Sequence, residues 1–258
     1  MINTAQLSAT LNTAAFHPQD WPEALDMCRI ALGATLVGVI RLYDDGGDLM
    51  GPPERTQAHL DAYHGGGWCA HDPRAAALTG LKPGRIYTDA CLLPESTRVS
   101  SDFYRDFALR QDVPHVACWR AETDASNEAL FFSVMFGAAH GPLQPQERAA
   151  LEVLKEQAAG ALALSRAIQI TQEQGALNGL EMLDAPAIGL DQRGRVVDAT
   201  PSGWRLLEKC FELDAEGRLK ATAPETALGL EHLRALLARR AAEPAASFRA
   251  YTSDAGRV

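Results

Sequence analysis

The feature that most constrains this chain is the stretch from Pro145 to Gln174, which past its first residue holds no further proline and a single glycine, Gly160. Leu151, Leu154, Ala158, Ala161, Ser165, Ile168 and Gln172 recur through it at alternating steps of three and four residues, the spacing of a coiled-coil seam. A helix of roughly 30 residues far exceeds the common globular length of about 11 or 12, so much of it is expected to pack against something beyond its own domain. A second copy of the chain is the simplest partner, which places Leu151, Leu154, Ala158, Ala161, Ser165 and Ile168 at a homodimer interface. The alternative is a helix lying across its own domain, because small seam residues also suit intramolecular packing. One helix could serve both purposes.

The remaining elements fall on either side of this helix. Trp21, Leu25, Cys28 and Leu32 share one helical face, preceded by an Asp20 to Glu23 capping box. Ala34 to Tyr43 reads as a strand ended by a turn at Asp44 to Asp48, and Glu54 to His64 as a helix broken into a flexible loop by Gly65, Gly66 and Gly67. Arg85 to Thr88 reads as a short strand, Ser101 to Arg110 as a serine-capped helix, and Val113 to Glu122 as a strand before a polar turn at Thr123 to Glu128. Ala129 to Ala138, the most apolar stretch, suits a central strand buried on both faces. These elements predict an α+β fold: an antiparallel sheet flanked by helices.

After Gly175 the pattern restarts with a hairpin from Ala187 to Ala199, turning at Gln192 to Gly194, and a helix through Trp204, Leu207 and Cys210. A short strand at Arg218 to Ala221, a helix over Thr226 to Arg240 and a strand from Ser247 to Thr252 follow, the last without a returning strand. The expected organisation is therefore a first domain over 1–144, a connecting helix over 145–176 and a second, incomplete α+β domain over 177–258.

Composition narrows the function. At 47% hydrophobic and 22% charged residues the chain should fold, and its formal charge of −9 argues against a surface that grips the nucleic-acid backbone. No apolar run approaches the roughly 20 residues needed to cross a bilayer, and the N-terminus lacks a basic region followed by an apolar one, so a cytoplasmic protein is expected. Five scattered cysteines show neither zinc spacing nor a disulfide framework, which fits a reducing compartment.

The region from Asp72 to Arg166 resembles the N-terminal sensor part of LuxR-type bacterial transcription regulators, which couple a GAF-like module to a C-terminal helix-turn-helix. The resemblance is carried by Asp72-Pro73-Arg74, by Leu81-Lys82-Pro83-Gly84 before Ile86-Tyr87-Thr88-Asp89, by Phe103-Tyr104-Arg105-Asp106-Phe107, and by Leu143-Gln144-Pro145-Gln146-Glu147-Arg148. Ile188-Gly189-Leu190-Asp191 and Arg193-Gly194-Arg195-Val196-Val197 look like the start of a PAS domain. The resemblance implies a GAF-like module that binds a small effector, a dimer, and DNA contact through a C-terminal domain that these residues do not contain.

Candidate ligand contacts follow from the need for an apolar lining with a few polar groups. Trp68, Tyr87, Phe103, Tyr104, Phe107, Trp119, Phe131 and Met135 would surround such a cavity, with His71, Arg74, His115 and Arg120 as polar contacts. A small hydrophobic effector, aromatic or steroid-like, is the expected partner. No cofactor, metal or catalytic site is expected: His71 and Asp72 are adjacent and seldom face one another, while His64, His71 and His115 lack ligand spacing. The Cys-His dipeptide of chromophore-bearing GAF domains is missing, and the Gly65 to Gly67 triplet lacks the residues of a phosphate loop. The rival functions are a GAF-type thiol redox enzyme using Cys69, Cys91 and Cys118, and a protein-binding module without a cavity.

Overall fold

A computed structural model describes residues 4–43, 46–121, 129–190, 194–215, 217–222, 227, 229 and 230. The chain divides into two compact units, Met1–Ser165 and Arg166–Val258. The first opens with two helices, α1 (Thr4–Phe16) and α2 (Trp21–Leu32), before strands β1 (Leu36–Tyr43) and β2 (Gly46–Met50). Helix α3 (Pro53–Gly65) leads through a single 3-10 turn, Trp68–Ala70, to three short helices separated by a strand: α4 (Pro73–Leu78), β3 (Tyr87–Thr88), α5 (Asp89–Leu92) and α6 (Glu95–Ser100). A π turn at Phe103–Ala108 precedes β4 (His115–Ala121) and β5 (Ala129–Phe136), and the long helix α7 spans Pro145–Met182.

The sheet is antiparallel, in the order β2-β1-β5-β4-β3. The α+β architecture expected from the sequence is the one observed. β5 is its middle strand, and Leu130 to Phe136 are all buried, as an uninterrupted apolar run requires when neither face meets water. Strand periodicity then divides β4 and β5 between two cores. Ala117, Trp119, Ala121, Leu130, Phe132, Val134 and Phe136 pack against Leu7 and Leu11 of α1, Leu25 and Cys28 of α2, and α7. Val116, Cys118, Phe131 and Met135 face the other way, with Leu36, Leu78, Leu81 and Val113.

Several local expectations need correction. Leu151, Leu154, Ala158 and Ala161 of α7 are buried in the chain's own core, between 0% and 3% exposed. Ser165 Oγ accepts a hydrogen bond from Trp21 Nε1 at 3.3 Å. These four leucines and alanines therefore cover the chain's own sheet, and their side chains are not on offer to a second copy. Ile168, in the second unit, is half-buried.

Helix α7 runs through Gly175 and Gly179 to Met182 instead of ending near Gly175. Asp20 caps α2 by position without a side-chain hydrogen bond, so the capping box does not form. Gly46 to Asp48 belong to β2, paired with β1 up to Tyr43 opposite Gly46; Asp44 and Asp45, like the turn at 123–128, lie outside the described residues. The glycine triplet is followed at once by the 3-10 turn, with Gly67 supplying the left-handed conformation (φ 69°) that a side chain would resist. Ser101 lends no side-chain cap, only its carbonyl to Arg105 N at 3.3 Å; the segment winds as a π turn, with Leu109 N bonded to Tyr104 O. Asp72 is the N-cap of α4 and accepts from Arg74 N at 2.8 Å.

The second unit carries the hairpin β6 (Ile188–Leu190) and β7 (Val196–Ala199), helix α8 (Pro201–Cys210), and the hairpin β8 (Phe211–Leu213) and β9 (Leu219–Ala221). Ala199, Leu207, Leu219 and Leu230 form its core. Thr200 ties it together: its hydroxyl accepts from Gly203 N and Ala187 N and donates to Ala185 O. The turn residues 191–193, most of the expected helix over 226–240 and the strand over 247–252 lie outside the described residues. Among the described residues, no helix is long and apolar enough to cross a membrane.

Candidate functional site

The two faces of the sheet are covered by unlike material. On one side lie α1, α2 and the first half of α7, three substantial helices whose leucines and alanines are interlocked with Phe132 and Trp119. On the other, Leu78 of α4, Leu81 of the following turn and Leu92 of α5 lie over Leu36, Phe131 and Met135. Helices of four or six residues have little intrinsic stability, so this roof depends on the contacts beneath and beside it.

Those contacts include a buried charged network. The Arg74 guanidinium is 4.6 Å above the Phe103 ring, with Nε 3.3 Å from Asp72 Oδ1 and Nη1 donating to Val113 O at 3.3 Å. Burial works against its charge, but Asp72 foremost, and Asp89 beyond it, hold its pKa above the ordinary guanidinium value. Asp72 also accepts from Tyr63 Oη at 3.3 Å. Asp89, 4% exposed, accepts from Tyr104 Oη at 2.6 Å and from Val116 N. Burial, followed by the neighbouring carboxylate, pushes the Tyr104 phenol up, so it stays a donor. The Arg74 and Asp72 charges pair with one another, and Asp89 is held by two hydrogen-bond donors. The network fastens α5 to β4 and α4 to the segment just before it.

Beside it the rings of Tyr63, Trp68, Phe103 and Phe107 meet edge-on or tilted, Phe103 and Phe107 with centroids 5.2 Å apart. His59 adds an edge contact to Phe107 at 5.2 Å; burial first, then Arg74, lowers its pKa to about 4. A second set of ties holds the turn carrying Leu81. Arg120 Nη1 donates to Leu81 O at 3.3 Å, Lys82 N to Tyr87 Oη at 3.3 Å, and Lys155 Nζ on α7 to Gly84 O at 2.7 Å.

The structure brings together Trp68, Phe103, Tyr104 and Phe107 in one aromatic cluster, and Tyr87, Phe131 and Met135 in the neighbouring core on the lightly roofed face. Trp119 lies on the opposite face, stacked 4.5 Å from Phe132 beneath the long helices, because it is one residue out of phase with Cys118. His71 is exposed on the turn before α4, and His115 is half-buried at the start of β4, its pKa lowered by burial. Arg74 is committed to Asp72 and Val113.

The sequence alone does not single out Asp89, Tyr63 and His59, whose roles depend on partners 9 to 48 positions away. It also passed over Ser133, the one hydroxyl residue among Leu130 to Phe136, which that contrast could have flagged. The thiols divide by burial: Cys69 and Cys91 are exposed, whereas desolvation pushes the buried Cys118 up to about 12.

No protein-family model matches the chain, and no curated protein matches it. Among solved structures it is similar to the ligand-binding domain of VqsR from Pseudomonas aeruginosa, at 14% identity over 63% of this chain and 96% of that one, with a TM-score of 0.48. It is also similar to CepR2 from Burkholderia cenocepacia, an N-acylhomoserine lactone dependent LuxR family transcription factor, at 17% identity over 63% of this chain and 99% of that one, with a TM-score of 0.44. A phycocyanobilin-bound GAF domain from a cyanobacterial phytochrome aligns at 14% identity over 65% of this chain and 97% of that one, with a TM-score of 0.38. At these identities the likenesses concern the fold alone.

Proposed function

We propose that this chain is the effector-binding, sensory region of a LuxR-type transcription regulator, taking a small hydrophobic molecule under the roof formed by α4, α5 and the turn at Leu81. The observation that carries this reading is the cover of one face of the sheet: over an apolar floor of Leu36, Phe131 and Met135 lie Leu78 and Leu92, on helices of six and four residues, and Leu81 of a turn. A roof of low intrinsic stability can open for a ligand at small cost, whereas the helical side cannot. The ligand contacts on this reading are Tyr87, Phe131 and Met135, with Trp68, Phe103, Tyr104 and Phe107 supporting the roof from beside it.

A route for the signal is available in Lys155, which joins α7 to the roof turn at Gly84. An effector that favours one position of that turn would bias the helix, and only such a difference in affinity can switch it. A homodimer would use the outer side of α7, where Val153 and Leu164, three turns apart, are exposed. With a formal charge of −9, DNA contact is assigned to a separate helix-turn-helix domain. The PAS-like reading of the second unit is supported by its order of hairpin, helix and hairpin.

Thermal denaturation of the full chain against a panel of small aromatic and steroid compounds tests the reading. A ligand held by the folded state raises the midpoint, by about 2.7 kcal/mol of stabilisation at a hundredfold excess over Kd. A broad panel without a hit overturns it in favour of a ligand-free protein-binding module.

A further inference from the structure

Two of the three pieces that roof the sheet are fastened by buried charge, and the third is not. Leu78 rides on α4, held by the contacts of Arg74 to Asp72 and Val113 O, and Leu92 rides on α5, held by Asp89 through Tyr104 and Val116 N. Leu81 rides on a turn whose next four residues, Lys82, Pro83, Gly84 and Arg85, are all exposed. A single side chain, 9% exposed, therefore plugs this turn into the apolar floor.

The turn straddles the edge of the sheet. β3 is the edge strand, and just before it Ile86, 1% exposed, packs into the core under the long helices, whereas Leu81 packs on the opposite face. Gly84 lies between the two at φ 78°, a left-handed conformation that glycine adopts without steric cost. Side chains grip the backbone of the turn from both sides. Arg120 donates to Leu81 O at 3.3 Å, and the Tyr87 hydroxyl accepts from Lys82 N at 3.3 Å and donates to Lys82 O at 3.4 Å. Lys155 of α7 donates to Gly84 O at 2.7 Å, while Glu152 at 2.8 Å and Glu156 at 3.2 Å hold its ammonium from the other side.

These tethers differ in kind from the network under α4 and α5. They end on backbone groups of an exposed turn, where water replaces a lost partner, so each contributes only the modest net value of an ordinary hydrogen bond. Parting Arg74 from Asp72, or Asp89 from its two donors, would instead leave a buried charge unmet. The turn is thus the piece of the roof that opens first.

We propose that the turn Leu81–Gly84 is the gate of the effector site: it swings about Gly84 with Ile86 fixed, lifting Leu81 off the floor while α4 and α5 stay in place, and Arg120 and Lys155 set how often it opens. This rests on the effector-binding reading above. Arg120 and Lys155 are positioning residues, since they touch the turn and act on the site only through it. Arg120 holds the moving end and Lys155 the hinge.

The test needs no ligand. Cys118 lies opposite Tyr87 in register and in the same apolar cluster as Leu81, so its thiol meets reagent when the turn lifts; Cys28 is buried under the long helices and meets it only when they part. The full chain at pH 8 is treated with iodoacetamide, and mass spectrometry reads each cysteine separately. Arg120→Met and Lys155→Met, each removing one tether and keeping the stem, should speed alkylation of Cys118 about five- to tenfold, the effect of one lost hydrogen bond. The Cys28 rate and the hydrogen exchange of the Val116 amide, which Asp89 holds, should stay as they are. An unchanged Cys118 rate in either variant, or equal acceleration of Cys28, overturns the gate; so does faster exchange at Val116, which would place the opening in α5. Such a failure leaves effector binding to the thermal panel, and a panel without a hit overturns effector binding whatever these rates are.

Discussion

Replacing Leu151 by alanine separates the two roles open to the long helix. Leu151 is fully buried and packs in the same core as Leu11, Leu25 and Phe132 of its own chain. Truncation at such a site removes the transfer free energy of the lost carbons and leaves a cavity that the surrounding helices fill only in part, a cost of about 3 kcal/mol. With a urea dependence of about 2 kcal/mol per molar, the midpoint should fall by about 1.5 M. Trp21 and Trp119, at 2% and 1% exposure, lie in that core, so tryptophan emission follows its unfolding directly. The shift should be the same at low and high protein concentration, because an intramolecular core has no mass-action term. Leu164→Ala, at a site 37% exposed, is the control and should move the midpoint by less than a third as much. If Leu151→Ala instead left the midpoint unchanged and dissociated a dimer, the placement of the seam in the chain's own core would be wrong.

Stability should fall as pH drops from about 6.5 to 4: His59 is neutral when folded, with a pKa near 4, so the unfolded chain takes up the proton first, at up to about 1.4 kcal/mol per pH unit. His59→Phe, which keeps the edge contact to Phe107, should flatten that slope in urea titrations; an equal slope in both proteins would remove His59 as its source. In thiol titration with an aromatic disulfide at pH 8, Cys69 and Cys91 should react promptly, and Cys28 and Cys118, each pushed up to about 12 by burial, only on unfolding. Prompt reaction of Cys118 would refute its burial and revive the redox reading. In the second unit Gly203→Ala should destabilise α8, because a Cβ would stand 2.2 Å from Ala187 O. Hydrogen exchange over 187–210 should quicken, while unchanged protection would show that the backbone can yield there.

How much could be read in advance depended on how local the cause was. β1, β4, β5 and α2 were legible because alternation, apolar runs and helical spacing are properties of neighbouring residues. Helix α1 was passed over although Leu7, Leu11 and Ala14 share a face, since its polar threonines and alanines drew no attention without the core they cover. α4 was hidden because Asp72-Pro73 is equally at home in a turn and at a helix start, and Arg74 decides the matter only by meeting Val113 and Phe103. In the candidate site, the aromatic residues were legible by type; which of them shared a face was not, and Trp119 fell on the sealed side.

The long helix carries both halves of this lesson. The absence of further proline, the single glycine and the three-and-four spacing of Leu151 to Ile168 settled, from the sequence alone, that a long helix with an apolar seam begins at Pro145. Periodicity records that a face will be buried, but burial is non-directional and carries no label for its partner. Only the tertiary structure, by laying that face on Phe132, Val134 and α2 of the same chain, decided that the seam closes one side of the chain's own sheet.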